Sequence, residues 1–244
     1  MESLAEKSVS VLSPQVLELL KEQPKALLFD LDGTLIDSVP DLAAAIDVML
    51  PSVGRQTAGV EKVVRWVGNG APALVKRALA DDDDGDLINF AEDEFNRAYE
   101  VFEFAYAKRL THATGLYPGV LDTLAKLSGF KLALITNKPR RFTVPLLSSL
   151  NIEHYFQCVI CGDDFEHKKP HPLPLQQALK ELKAEASQAL MIGDSVSDVK
   201  AANAAGVAAV ALTYGYNHGA PIEEAEAKAG LYLNAFDQLL DASS

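Results

Sequence analysis

The sequence predicts an α/β fold on a parallel sheet, from two observations. Short apolar runs that stop abruptly at acids or glycine recur along the chain, and from residue 118 onward they alternate with helical segments. Runs of that kind are strands buried on both faces. Strand–helix alternation makes βαβ units with helices on either side of the sheet. The class is therefore a Rossmann-like, doubly wound parallel sheet core, here with an inserted α-helical cap. A length of 244 residues leaves room for one core and a smaller insertion. The expected division is an N-terminal extension with a short helix (1–24), an α/β core (25–39 and 113–244) and a helical cap (40–112).

Taken in order, Ser13-Pro14 before Gln15 to Leu20 reads as an N-cap, a proline at the first helical position and one short amphipathic helix. Lys25 to Phe29 is apolar and ends at Asp30-Leu31-Asp32-Gly33, as a buried parallel strand does. Ala43 to Leu50, Val60 to Val67, Ala73 to Leu79 and Phe90 to Arg109 all favour helix, and none resembles a buried strand. An insertion leaving the loop after the first strand sits over the carboxyl ends of the sheet, where open α/β sheets bind ligands. Asp81 to Asp86 lacks the alternating ligands of a calcium loop and reads as a solvated connector between cap helices. Further strands are expected at Lys131 to Ile135, Phe156 to Ile160, Ala189 to Ile192 and Val207 to Thr213, with helices before Asn151 and before Gly206.

Composition excludes several classes. Hydrophobic residues make up 48% and charged residues 23%, which is ordinary for a globular protein. A net charge of −12 has the wrong sign for a nucleic-acid partner. No apolar stretch approaches the roughly 20 residues that span a bilayer, so no membrane partner is expected. Met1 to Lys7 shows no basic segment followed by an apolar core, and Cys158 and Cys161 make no disulfide framework; a cytoplasmic setting is expected. The oligomeric state stays open between monomer and homodimer.

Asp30 and Asp32 stand two apart at a strand end, so both carboxylates face one mouth. Two like charges about 4 Å apart at an effective dielectric near 20 repel by roughly 4 kcal/mol. Such a pair must be shifted in pKa, bridged by a cation, or both. Asp194 ends another strand, and Asp198 follows four residues on at a helix start. Converging oxygen acids are hard ligands suited to Mg²⁺, whereas Zn²⁺ lacks His and Cys ligands here. A carboxylate can attack phosphorus, and a second can protonate the leaving oxygen and then deprotonate water. The excess of negative charge calls for a lysine and further donors, and Lys169 and Thr136-Asn137 come from strand termini on the same edge.

Asp30-Leu31-Asp32-Gly33-Thr34-Leu35, Thr136-Asn137, Lys169-Pro170-His171-Pro172 and Gly193-Asp194-Ser195-Val196-Ser197-Asp198, in that order, resemble the four motifs of the haloacid dehalogenase superfamily. The resemblance implies Asp30 as nucleophile and Asp32 as general acid and base. It implies Thr136, Asn137, Lys169 and Gly33 around the phosphate, and Mg²⁺ held by Asp30, Asp194 and the Asp32 carbonyl. Asp198 is implied as a ligand or as a partner of one. Members that cleave carbon–halogen bonds lack the second acid, so Asp32 implies phosphate chemistry.

A closer resemblance, to bacterial phosphoglycolate phosphatases, lies in Trp66 to Ala71, Thr136 to Pro139, Gly162 to Asp164, Lys168 to Pro172 and Leu212 to Asn217. It implies a small-molecule ester, 2-phosphoglycolate, as substrate. Other small phosphates (sugar phosphate, nucleotide or pyrophosphate) and a non-catalytic binding module are the alternatives.

The Gly68-Asn69-Gly70 segment reads either as a plain turn or as a loop in which Asn69 and Gly70 meet the substrate. Arg77, Arg65 and Lys62 are candidates to bind a substrate carboxylate, Arg77 preferred for its place on the helix after that turn. Asp163 and Asp164 read as partners of Lys169 or the metal, or as turn acids. The two cysteines read as buried free thiols.

Overall fold

A computed structural model describes residues 11–20 and 23–242; the expectation for Met1 to Lys7 lies outside them. The first described helix, α1 (Pro14–Leu17), is a single turn, and Ser13 gives it no side-chain cap. Leu12 and Val16 are buried in the core, Ser13 N–H donates to the Leu239 carbonyl (2.9 Å) and Asp241 N–H to the Val11 carbonyl (2.8 Å). The described part of the extension thus docks on the chain's own C-terminal end.

Five apolar runs form strands where the sequence places them: β1 (Ala26–Phe29), then, after a short β2 (Ile36–Asp37) and β3 (Gly115–Leu116), β4 (Lys131–Ile135), β5 (Cys158–Ile160), β6 (Ala189–Gly193) and β7 (Ala208–Leu212). A sixth, β8 (Leu231–Leu233), joins the edge. The order is β5-β4-β1-β6-β7-β8, every pairing parallel. β1 is central, Phe29 lying opposite Leu134 and Ile192, so the chain leaving β1 at Asp30 is flanked by the ends of β4 and β6.

Both faces of the sheet are covered. Leu27, Phe29, Leu134 and Ile192 pack on one side with Val120 and Leu124 of α6 (Val120–Lys126) and Leu146 and Leu147 of α7 (Arg140–Ser149). Leu28, Ala133 and Met191 pack on the other with Leu175 and Leu179 of α8 (Leu173–Leu182) and Ala201 and Ala202 of α9 (Val196–Ala205).

Between β2 and β3 lie four helices, α2 (Val39–Ser52), α3 (Val60–Trp66), α4 (Ala71–Ala80) and α5 (Glu92–Ala107). Their apolar faces bury Ile46, Met49, Trp66, Val75, Leu79, Phe102 and Tyr106 in a cluster of their own, which Phe142 and Tyr216 join from the sheet side. The two crossings are tied together. β2 and β3 pair antiparallel, Ile36 opposite Leu116 and Asp37 opposite Gly115, and Asp41 Oδ2 accepts the N–H groups of Ala113 (2.9 Å) and Thr114 (2.8 Å). The Asp81–Asp86 connector is not simply solvated: Lys62 bonds Asp81, the Trp66 indole donates to Asp83 (2.9 Å) and Arg77 pairs with Asp86.

Candidate active site

Asp30, Asp32, Thr136, Asn137, Lys169 and Asp194 line one cavity of about 60 Å³ at the carboxyl end of the sheet. The insertion closes it from above with Gly68, Asn69, Gly70, Leu74, Phe102 and Tyr106. At roughly 10–15 Å³ per water position, the space holds about five waters or one small molecule.

The Lys169 ammonium is the centre of the buried charge. It stands 2.7 Å from Asp30 Oδ1 and 2.7 Å from Asp198 Oδ1, and donates to the Ile135 carbonyl at 2.6 Å. Its three donors are thereby used. Burial works against its charge, but Asp198 and Asp30 outweigh that and hold its pKa above the lysine value. Asp198 also receives the N–H (3.1 Å) and hydroxyl (2.7 Å) of Ser195 on Oδ2, at the first turn of α9, so both of its oxygens are engaged.

Asp194 accepts the Thr34 hydroxyl (2.9 Å) and the Tyr216 N–H (2.8 Å). The backbone comes very close to it: a Cβ on Gly33 would lie 2.3 Å from Asp194 Oδ2, and one on Gly215 2.1 Å from its Cβ. Oxygens of Asp30, Asp194 and Asp198 lie within 4.8 Å of one another. Burial, and then Asp198, push Asp194 up to about 7 and raise Asp30 well above the usual carboxylate range, although Lys169 pulls both back. One lysine does not balance three buried carboxylates. An all-oxygen set short of positive charge fits a hard divalent cation such as Mg²⁺ and offers nothing to zinc's preference for His and Cys.

Asp32 stands apart from that cluster and has a cation of its own. Lys138 Nζ lies 2.8 Å from Asp32 Oδ1, which also accepts the Ser38 hydroxyl. The repulsion expected between Asp30 and Asp32 is thus met by one lysine each. Lys138 is buried, and although burial opposes its charge, Asp32 and Tyr106 hold its pKa above the lysine value. Sequence reasoning gave Lys138 no role; its position two residues after Thr136, at the end of β4, was the available signal.

Two expected positions differ. The Gly33 N–H is given to the Ile36 carbonyl (2.9 Å), and the residue sits at φ +86°, so its visible role is a tight turn against Asp194 rather than phosphate binding. Arg77 is buried with Nε on Asp86 (2.9 Å) and Nη1 on the Trp66 carbonyl (3.0 Å), and it is not among the cavity lining. Its Nε and Nη1 are engaged by the insertion, and the side chain lies outside the cavity lining.

Thr136 is buried and its hydroxyl accepts the Lys138 N–H (3.1 Å); the Asn137 amide donates to the Lys169 carbonyl (2.9 Å). Gly68, Asn69 and Gly70 all have positive φ, of 125°, 49° and 86°, and the loop is fastened to the core by Lys168 on the Asn69 carbonyl and Ser197 on its side chain. Asp163 and Asp164 are turn acids that hold Arg140. Cys158 and Cys161 are buried and free.

A family model for haloacid dehalogenase-like hydrolases matches residues 24–206. The chain is 53% identical over 203 residues to the phosphoglycolate phosphatase of Pseudomonas syringae pv. tomato, covering 82% of this chain and 74% of that one. It is 46% identical over 207 residues to the phosphoglycolate phosphatase of Nitrosococcus oceani, covering 84% and 91%. Its structure is similar, with a TM-score of 0.81 and 37% identity, to the crystal structure of a predicted phosphoglycolate phosphatase from Haemophilus somnus, covering 89% of this chain and 96% of the other.

Proposed function

The chain belongs to the haloacid dehalogenase-like hydrolases, and on that premise we propose that it hydrolyses 2-phosphoglycolate to glycolate and phosphate through a phosphoaspartate on Asp30. The observation that carries the reading is the pairing of Asp30 with a lysine whose donors are all engaged, at the edge of a cavity with room for one small molecule.

Asp30, aimed by Lys169, attacks phosphorus; an acyl phosphate forms as the phosphorus–oxygen bond to the leaving group breaks. Asp32 gives its proton to the departing oxygen, releasing glycolate. The same carboxylate then takes a proton from water, whose oxygen attacks phosphorus and frees Asp30 and inorganic phosphate. Thr136 and Asn137 line the cavity beside Lys169, where donors to the phosphoryl oxygens are needed. Mg²⁺ held by Asp30, Asp194 and the Asp32 main-chain carbonyl would supply the positive charge that the phosphoryl group requires. Asp198 orients Lys169, whose ammonium its Oδ1 holds at 2.7 Å, and its carboxylate lies close enough to Asp30 and Asp194 to join them around the cation. Within this reading Asn69 and Gly70 cover the substrate from the insertion, and the enzyme works in the cytoplasm.

The test is phosphate release from a panel of small phosphomonoesters with Mg²⁺ and with EDTA. Metal-dependent turnover led by 2-phosphoglycolate is the expected result. Another ester in the lead would overturn the substrate, and no turnover of any ester would overturn the enzyme.

A further inference from the structure

We infer that Lys138 and the Tyr106 hydroxyl form the subsite for an anionic group on the leaving end of the substrate, the carboxylate in the case of 2-phosphoglycolate. This deepens the functional reading above and rests on it. Among the residues lining the cavity the cations are Lys138 and Lys169, and Lys169 has no donor left. Lys138 spends one of its three donors on Asp32. Arg77, the obvious fork in the sequence, is committed to Asp86 and Trp66.

Tyr106 supplies the second observation. It lines the cavity near the end of α5, is 1% exposed, and its hydroxyl faces the Lys138 ammonium without a hydrogen bond of ordinary geometry to any described residue. A buried polar atom left unsatisfied is costly, and it is explained if a ligand completes it. Its ring is fixed by stacking on Phe102 (5.7 Å between centroids) and by the edge of Phe142 (5.0 Å), so the hydroxyl is held in place. Lys138 Nζ lies 4.9 Å from the centre of that ring. The pair therefore offers one charged and one neutral donor side by side, one from the sheet side and one from the insertion. Leu42, Leu74, Phe102 and Phe142 add an apolar stretch of wall, which suits a short carbon link. A carboxylate seated there would share Lys138 with Asp32, placing the leaving oxygen beside the group that protonates it.

The experiment compares 2-phosphoglycolate with ethyl phosphate, which carries a methyl group in place of the carboxylate, as the ratio of their kcat/KM values in Mg²⁺. Tyr106→Phe removes only the hydroxyl and keeps the stacked ring, and its fold is checked by thermal unfolding. Its ratio should fall by roughly tenfold or more, the worth of a hydrogen bond to a charged group. In Lys138→Met the ratio should fall by roughly tenfold to a hundredfold, beyond any slowing shared by both esters when Asp32 loses its partner. A high wild-type ratio that survives both substitutions would overturn the subsite and leave the substrate reading standing. A wild-type ratio near one would overturn both.

Discussion

Lys169 holds Asp30 at 2.7 Å while its other donors are fastened to Asp198 and to the Ile135 carbonyl. The side chain proposed to attack phosphorus is therefore aimed by a cation that is itself anchored on two separate strand–helix units. Replacing Lys169 with Met leaves Asp30 and Asp198 buried without their partner, a change that costs about 3–5 kcal/mol in comparable buried pairs. The midpoint of urea unfolding should fall accordingly, and phosphate release should drop to background. A variant as stable as the parent would show that the pair contributes nothing to folding.

Asp30→Asn should keep the fold and lose roughly 10³-fold or more of kcat, as removal of a nucleophile does elsewhere. Far-ultraviolet circular dichroism and phosphate release check the two halves. Retention of a tenth of the activity in a clean preparation would remove Asp30 as the nucleophile. Asp32→Asn should also stop turnover, because both steps pass a proton through that carboxylate; any phosphoryl group that does reach Asp30 should then persist, and intact mass of the protein mixed with substrate reads it.

Asp194 is pushed up to about 7 by burial and then by Asp198, so the metal-free folded chain holds a proton there that the unfolded chain releases near pH 4. The sign follows: this group favours folding at low pH, and that contribution is lost as pH rises through about 7. A divalent cation bound there would replace the proton and relieve the same charge. The rise in Tm on adding Mg²⁺ should accordingly be larger at about pH 8 than at about pH 5. Equal shifts at the two values, read by differential scanning fluorimetry, would count against a cation at Asp194.

The Tyr216 hydroxyl accepts the N–H groups of Ser38 (2.8 Å) and Val39 (3.2 Å) and donates to Asp37 (2.7 Å), at the point where the chain passes into the insertion. Its own N–H holds Asp194. Tyr216→Phe takes the acceptor from the Ser38 N–H and leaves the Val39 N–H only its longer bond to Asp37 Oδ1 (3.3 Å), and should cost about 1–3 kcal/mol of stability. Because the same residue reaches the start of α2 and Asp194, the KM for substrate should rise as well. A variant with lowered stability and an unchanged KM would confine Tyr216 to folding.

The site acids were legible in the sequence because apolar strands that stop at a polar residue announce their carboxyl ends; Asp30 and Asp194 end β1 and β6 in this way. The four helices of the insertion were legible from their apolar spacing. What escaped was set by tertiary contact. Nothing local distinguishes Lys138 from any lysine after a strand until the loop brings it to Asp32, 106 residues away. Arg77 looked free because its acceptors are the Trp66 carbonyl and Asp86, an acid in a run that read as solvated. Gly33 looked like a phosphate cradle, yet the space a side chain would fill belongs to Asp194. β8 is three residues with a tyrosine in the middle, too short for alternation to show.

The two-residue ladder between β2 and β3 brings the start and finish of the insertion together, so the segment between them is spliced into the core at effectively one point. A stretch attached in that way can be lengthened, trimmed or exchanged in descent without re-threading any strand of the sheet. The acids and Lys169 that are proposed to cleave the ester belong to the sheet core, as does Lys138, while Tyr106, Asn69 and Gly70 belong to the insertion. Selectivity in this chain can therefore drift while its chemistry stands still, and grafting another insertion between Asp37 and Gly115 is the natural route to a new substrate.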